Sequence, residues 1–492
     1  MKQRFDIAII GSSFSGSILA WILAKQGRRV LMVDSATHPR FAIGESSTPI
    51  ADMLLARLGE RYGLTELVDL ASFGRWQQTH SNLACGMKRG FSYFDHQSGC
   101  SGLAESFSGQ RSLLVAASPS DQRSDTHWYR PDVDAFFFQQ ATAAGTHVRQ
   151  AVAVTGLTQN HDGSISICLG DGATESADFV VDASGRANVA ARAFNRPSLV
   201  ERLQTRTCAS FAHFHDVGSF SQRFNHLHSD RRASVPFDAD DAAQHHVIDD
   251  GWVWMLRMNN SVTSVGVTSS TQGRSGAALA ATIARTAEQL DQRFAKYPDL
   301  HQVMRDSTVI APASGITTMS QLQRFYDPVV LENCLLLPAT AATIDPLHST
   351  GIAHSLAGVD RIARLLLGQQ RAATIHDYRH RVLDETVHLD RLVSAAYRCL
   401  HSFSRLTTAC MLYFAAAIGS EESIASGNEI RGLWLSDDPQ FVAIVNESVE
   451  ILDSDSSDAN ANSRIRKLIQ PWNTAGLLDD RVANRYAYTA TK

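Results

Sequence analysis

The apolar positions of the chain fall into runs of two different periods, and the first runs come in a telling order. Phe5–Ile10 (FDIAII) is a short β-branched run of the kind that forms a buried parallel strand. GSSFSG follows at once, then a helical pattern, SILAWILAKQG, ending at Gly27. RRVLMVD is a second buried strand, closed by Asp34. Later runs repeat the alternation of strand and helix. Thr126–Gly145 (THWYRPDVDAFFFQQATAAG) predicts a helix, and Ala177–Arg186 (ADFVVDASGR) a strand running into Asp182 and a turn of small residues. Asn333–Leu366 predicts a buried strand, a turn at Asp345-Pro346 and a long helix. GWVWMLRMNNSVTSVGVT alternates with period two on either side of Asn259-Asn260 and predicts a hairpin. In its first strand Trp252, Trp254 and Leu256 share one face, and Val253, Met255 and Arg257 the other. HSDRRASVPFDADDAAQHH is polar and rich in turn formers, so an exposed loop is expected there. Beyond residue 370 the spacing is mostly helical, as in LDRLVSAAYRCLHSFSRLTTACMLYFAAAI, with DSDSSDANANSR (Asp453–Arg464) as a solvated connector.

Composition narrows the class. The 492 residues carry 44% hydrophobic and 19% charged side chains, ordinary for a globular enzyme-sized chain. Forty-five basic against 50 acidic residues give −5, with no footprint for nucleic acid or an anionic membrane surface. The seven cysteines are scattered and never spaced C-x-x-C, which argues against a disulfide framework or a zinc site and suggests a reducing cytoplasm. The N-terminus mimics a signal peptide, but Asp6 and the Gly/Ser cluster interrupt it. ACMLYFAAAIG is too short to span a bilayer, so no stable membrane insertion is expected. His213, His215, His226 and His228 lack companion acids and are expected as surface histidines rather than metal ligands.

The opening unit carries the first candidate chemistry. In G-x-S-x-x-G, Gly11 permits a tight turn, and Ser12 and Ser13 are small enough for backbone N–H groups to reach a pyrophosphate. Gly16 lets the helix pack on the strand, and the helix N-terminus favours the phosphate charge. Asp34, about 20 residues on at a strand end, would accept from a ribose hydroxyl. A generic strand–helix–strand start without a nucleotide is the plainer alternative.

Three later stretches separate FAD from NAD. RFAIGESSTP offers Gly44 for close backbone approach and Glu45 and Ser46 as polar contacts, and it resembles a segment of the halogenase-like flavoprotein monooxygenases. The same residues would serve equally as a helix cap. The DASG stretch, with Asp182 and Gly185, resembles the segment of those proteins that passes the dinucleotide. Arg130 at the head of its helix resembles their flavin-side arginine, oriented by Asp134, where the plainer reading is a surface (i, i+4) pair. DPLHSTGI, with Asp345, Ser349, Thr350, Gly351 and Ile352, resembles their third segment, whose helix N-terminus points at the flavin ring. Relatives carry Gly-Asp where this chain has Pro338-Ala339. Together the segments resemble the FAD-dependent tryptophan-halogenase-like family, within the hydroxybenzoate-hydroxylase-like fold.

The resemblance implies an α/β protein with a discontinuous Rossmann-like FAD-binding domain (1–75, 126–200 and 325–370). A β-sheet substrate domain (76–125 and 201–324) and a mostly helical C-terminal region (371–492) complete it. For the reaction, halogenases of this family use a lysine that follows the GES helix. Here that stretch reads Phe73, Gly74, Arg75, Trp76; Lys88 lies farther along, and Arg75 is a poor proton relay. His348 stands where tryptophan halogenases resemble PLESTG with a glutamate, and a histidine there could exchange protons near neutral pH. Merely hydrogen-bonding backbone is the equal alternative. The W-x-W-x-I-P box ends in Leu256-Arg257, and Arg257 is expected to bring a cation to the cavity wall. Thr350 and Gly351 match the backbone site at which halogenases hold halide. The expectation is therefore an FAD-dependent monooxygenase. It would hydroxylate a phenol- or indole-type aromatic, free or protein-borne, with O2 through a C4a-hydroperoxyflavin. His348 and Arg257 are the candidate catalytic groups, and either a separate flavin reductase or NAD(P)H supplies the electrons. A halogenase with an atypical relay is the main alternative. A flavin dehydrogenase or reductase and a non-catalytic FAD-binding maturation factor are the others.

Overall fold

The computed structural model describes residues 4–100, 111–222, 235–368, 371–429 and 431–489. Two large sheets organise them. In the first, the order is Val329–Leu331, Cys334–Leu336, Thr174–Asp182, Phe5–Ile10, Val30–Val33, His147–Arg149. The central pairs are parallel, with Ile10 level with both Asp182 and Val33. Phe5–Ile10 is a run of apolar residues because helices cover both faces of a parallel sheet. All ten residues from Phe14 to Leu23 of the first helix (Phe14–Lys25) are buried, which explains its lack of a polar stripe. An antiparallel pair, Val154–Gln159 and Ile165–Leu169, extends the sheet through Thr174–Asp182.

The second sheet has nine strands. Its path runs Thr308–Ala311, Thr207–His215, Thr263–Ser270, Gly251–Arg257, Ala243–Ile248, Gly90–Asp95, Ser112–Ala116 and Arg485–Tyr486, with Thr317–Met319 also pairing on Thr207–His215. The hairpin forms as expected, Gly251–Arg257 against Thr263–Ser270. Trp252, Trp254 and Leu256 join the main core, whereas Val253 and Met255 join a second core behind the sheet with Phe94, Leu114, Val265 and Val267.

Two expectations are corrected here. His228–His246 is not one exposed loop. Residues 228–234 lie outside the described residues, and Ala243–Ile248 is a fully buried central strand. Its polar members hide the pattern because the fold satisfies them: His246 bonds Gln244 and His96 at 3.0 Å each, and His245 reaches Leu347 O at 3.0 Å. The C-terminal region contains the helices Arg371–Arg398, Phe403–Ala425, Pro439–Asp453 and Asp458–Leu468. It also contributes a strand, Arg485–Tyr486, parallel to Leu114–Val115. Among the described residues no helix is long and apolar enough to cross a membrane.

Candidate active site

The glycine turn is built as its residue types require. Gly11 has φ 104°, and a Cβ on it would lie 2.4 Å from Ala183 O. A Cβ on Gly16 would lie 2.2 Å from Gly11 O, so its role is helix–strand packing. Ser12 donates to Asp34 Oδ2 through both N–H (2.7 Å) and hydroxyl (2.8 Å). Arg40 and the Ala36 N–H hold the other oxygen at 2.7 and 2.8 Å. Burial opposes ionisation of Asp34, but these contacts keep its carboxyl below the usual range. A cavity of about 800 Å³ opens beside it, lined by Gly11, Ser13, Asp34, Arg40, Ser184, Gly185 and Arg186. Asp182 does not reach it. Its two oxygens accept from Ser184 N (2.9 Å) and Ala190 N (2.7 Å), so the acid braces the turn instead of touching a cofactor.

A second cavity of about 360 Å³ continues from the first, sharing Ile43 and Arg186. Gly44, Glu45 and Ser46 form one side of it, Ser349–Ile352 another, and Trp252, Trp254 and Leu256 a third. Arg130 and Asp134 are no surface pair. Asp134 is wholly buried and grips Nε and Nη2 at 2.8 and 2.9 Å, while Nη1 donates to Ile43 O and Gly44 O. The pair thus fixes the Gly44 turn from behind. Glu45 is buried against His213 at 2.7 Å. His213 therefore lies in the interior, contrary to expectation, with His215 half-buried at the end of the same strand. His226 and His228 lie outside the described residues. Asp345 accepts from Leu347 N (3.1 Å), Thr207 (2.9 Å) and Tyr397 (2.9 Å), and burial pushes its carboxyl up to about 6. Tyr397 also takes the Trp252 indole N–H at 2.9 Å. The chain from Asp345 to Trp252 ties the cofactor-side turn to the aromatic strand. Ser349, at φ 54°, turns the backbone so that Thr350 and Gly351 open the helix Gly351–Leu366 at the cavity wall.

The two expected catalytic groups sit elsewhere. Arg257 is on the far face of its strand. Its guanidinium bonds Val217 O at 3.0 Å and Gly218 O and pairs with Asp240 at 3.3 Å, so it ties down a loop and brings no cation to the cavity. His348 is fully buried, stacked on Tyr413 at 4.2 Å and 3°. Burial and His245 push it down to about 3, which removes proton exchange near neutral pH.

The largest correction concerns the lysine. Phe73–Thr79 is a helix packed on Asp121–Arg123: a Cβ on Gly74 would meet Gln122 Oε1 at 2.1 Å, and Arg75 pairs with Asp69 at the surface. That stretch never approaches the cavities. Lys88 ends the strand Cys85–Lys88, which pairs with Asp125–Trp128 and so turns inward. Its side chain is fully buried, with Nζ 2.5 Å from Ser47 O and 4.0 Å from the centre of the Phe91 ring. His127 and His245 lie around it, both pushed down to about 3 by burial and then by the Lys88 charge. Counting residues from the GES helix placed Lys88 too far away. The strand pairing folds the excess length outward and brings the ammonium back against Ser47. A lysine just ahead of the aromatic strand GFSYFD was the available signal. Among the described residues no cluster of His, Cys, Asp or Glu could hold a metal.

Taken together, a glycine turn, an acid at the second strand end and two joined cavities, one polar and one aromatic, define a dinucleotide-binding flavoprotein fold. The Gly11 cradle and the buttressed Gly44 turn fit an elongated FAD. The Tryptophan halogenase family profile matches residues 126–402, and an NAD(P)-binding Rossmann-like domain matches residues 9–54. The chain belongs to the tryptophan halogenase family, and is an FAD-dependent oxidoreductase. It is 28% identical over 391 residues to tetracycline 7-halogenase of Kitasatospora aureofaciens, covering 75% of this chain and 64% of that one. To monodechloroaminopyrrolnitrin halogenase PrnC of Pseudomonas fluorescens it is 27% identical, covering 82% and 69%. The crystal structure of halogenase PltM has the same fold, with a TM-score of 0.84 at 23% identity over 98% of this chain and 99% of that one.

Proposed function

We propose that this protein halogenates an electron-rich aromatic ring of phenol or indole type, with Lys88 as the catalytic cation. The observation that carries the reading is the fully buried Lys88 ammonium beside Ser47, two residues beyond Glu45 of the cofactor cavity. Burying an ammonium is costly unless it is partnered or used. Bound reduced FAD, with O2, supplies the two electrons and the oxygen atom that convert halide to hypohalous acid, the second oxygen leaving as water. Glu45, Arg130 and the Ser349–Ile352 turn hold the ring of the cofactor. Trp252, Trp254 and Leu256 exclude water from its far side. Lys88 donates an N–H to the hypohalous oxygen, withdrawing electron density so that the halogen becomes the electrophile. Neutral imidazoles at His127 and His245 leave the positive charge on Lys88.

On the side away from the cofactor, Phe91, Val115, Tyr413, Phe414, Glu421 and Thr489 enclose a remnant cavity of about 20 Å³. An aromatic ring there requires these walls to part. His348, stacked on Tyr413, which in turn meets Phe91 edge-on, is positioned to accept a hydrogen bond from a substrate hydroxyl. The reading carries halide, O2 and a separate flavin reductase as co-reactants. Hydroxylation loses its premise once Lys88 occupies the interior.

The test is mass spectrometry of phenols and indoles incubated with the protein, FAD, a flavin reductase, NADH and bromide. A bromine isotope pair is expected, and it should vanish in Lys88→Met while FAD affinity persists. A product gaining only 16 mass units would overturn the reading.

A further inference from the structure

His354 sits in the first turn of the helix Gly351–Leu366 and forms part of the wall of the 360 Å³ cavity. Its Nε2 lies 3.2 Å from Glu385 Oε2. Glu385 is fully buried, and its position is set from three directions. Arg361 grips both oxygens at 2.8 and 2.6 Å, and Leu433 N donates at 2.8 Å. Burial works against its ionisation, yet Arg361 and His354 hold the carboxyl down at about 2. A permanently ionised carboxylate against Nε2 fixes the tautomer: Nε2 carries the hydrogen, and Nδ1 is the nitrogen left for the cavity. No hydrogen bond from a described residue reaches Nδ1.

The charged and titratable groups facing His354 are few. Glu385 faces it from the helix Arg371–Arg398, and Arg361 stands behind that carboxylate on His354's own helix. From the turn Leu433–Leu435 comes only the edge of the Trp434 ring, 5.9 Å away at 77°. With a neutral imidazole the trio sums to zero; with an imidazolium it carries one positive charge, directed at the cavity. An anion arriving in the cavity therefore favours proton uptake at Nδ1.

The inference rests on reading this cavity as the seat of the flavin ring. We propose that His354 takes up a proton when the ring is reduced, setting an imidazolium N–H against the added negative charge. Two electrons come from the external reductant and the proton from solvent. The only bond formed at His354 is N–H. Glu385 acts through His354 as its positioning residue.

The midpoint potential of FAD bound to the full chain, measured between about pH 5.5 and 8.5, tests this. The wild type should show an interval in which one extra proton accompanies each two electrons, seen as a steeper stretch of the potential–pH curve. In His354→Gln the steeper stretch should disappear and the potential at its acidic end should fall. Superimposable curves would overturn the proposal, and so would a wild-type curve without the steeper stretch, whatever the variant does. A fluorescence titration showing no FAD binding by the wild type would defeat the cavity assignment itself, a result distinct from an unchanged curve.

Discussion

Replacing Asp134 by Asn should cost about 3 kcal/mol of stability and loosen the cofactor. The carboxylate is wholly buried and holds Arg130, which is 5% exposed, through two contacts of 2.8 and 2.9 Å. Asparagine keeps the shape but turns an NH2 toward a guanidinium N–H, so one buried cation loses half its partner. Breaking a buried pair from one side costs about 3–5 kcal/mol, and the retained oxygen puts Asn at the low end of that range. Arg130 also carries the Ile43 and Gly44 carbonyls, so part of the loss reaches the cofactor turn. If the whole of it appeared in binding, FAD affinity would fall roughly 100-fold, and about tenfold is expected when the loss is shared. Urea denaturation followed by tryptophan fluorescence, with an FAD titration at each step, measures both. The double substitution Arg130→Leu/Asp134→Leu should recover most of the stability but none of the FAD affinity. Unchanged stability and affinity in Asp134→Asn would refute the argument, because it would mean that water screens the pair.

Other outcomes follow from single contacts. Gly74→Ala should destabilise by about 1–3 kcal/mol in thermal melts, since its Cβ would strike the Gln122 backbone oxygen at 2.7 Å as well as the side chain. Asp345, pushed up to about 6, keeps a proton in the folded state that the unfolded chain has already lost. Stability should therefore fall as pH rises from about 4 to about 6, by up to roughly 3 kcal/mol, and stay level above; Asp345→Asn should flatten this part of a Tm–pH curve. Arg257→Gln should lower stability by about 1 kcal/mol yet leave bromination within a few-fold of wild type in the mass-spectrometric assay, because the guanidinium faces the loop at Val217 and Gly218.

The cofactor half was largely legible. Gly11, Gly16 and Asp34 announce themselves because each role excludes almost every other residue type, and the runs around them have one clear period. Arg130, Glu45 and the Ser349–Ile352 turn were legible by resemblance. The chemistry-bearing half was not. Lys88 was discounted by counting residues along the chain, and only the pairing of Cys85–Lys88 with Asp125–Trp128 shows that the distance folds away. His213, His245 and His246 read as surface because histidine is usually polar filler. They are interior because Glu45, the Leu347 carbonyl and His96 happen to complete their hydrogen bonds, partners that lie more than 100 residues away in sequence. Arg257 was misjudged for a different reason. Strand alternation gave its face correctly, but not which face looks at the cavity.

The short strand Arg485–Tyr486 has a consequence for biosynthesis. It covers Ser112–Ala116, a wholly buried strand whose other neighbour is Gly90–Asp95. Until residues 485–489 have been made, Ser112–Ala116 is a bare apolar edge able to pair with any other extended chain. At ordinary elongation speeds the two partners leave the ribosome on the order of half a minute apart. Nascent chains should be at their most aggregation-prone in that window, and a clone shortened by only a few residues before 485 should express poorly while every catalytic residue remains in place.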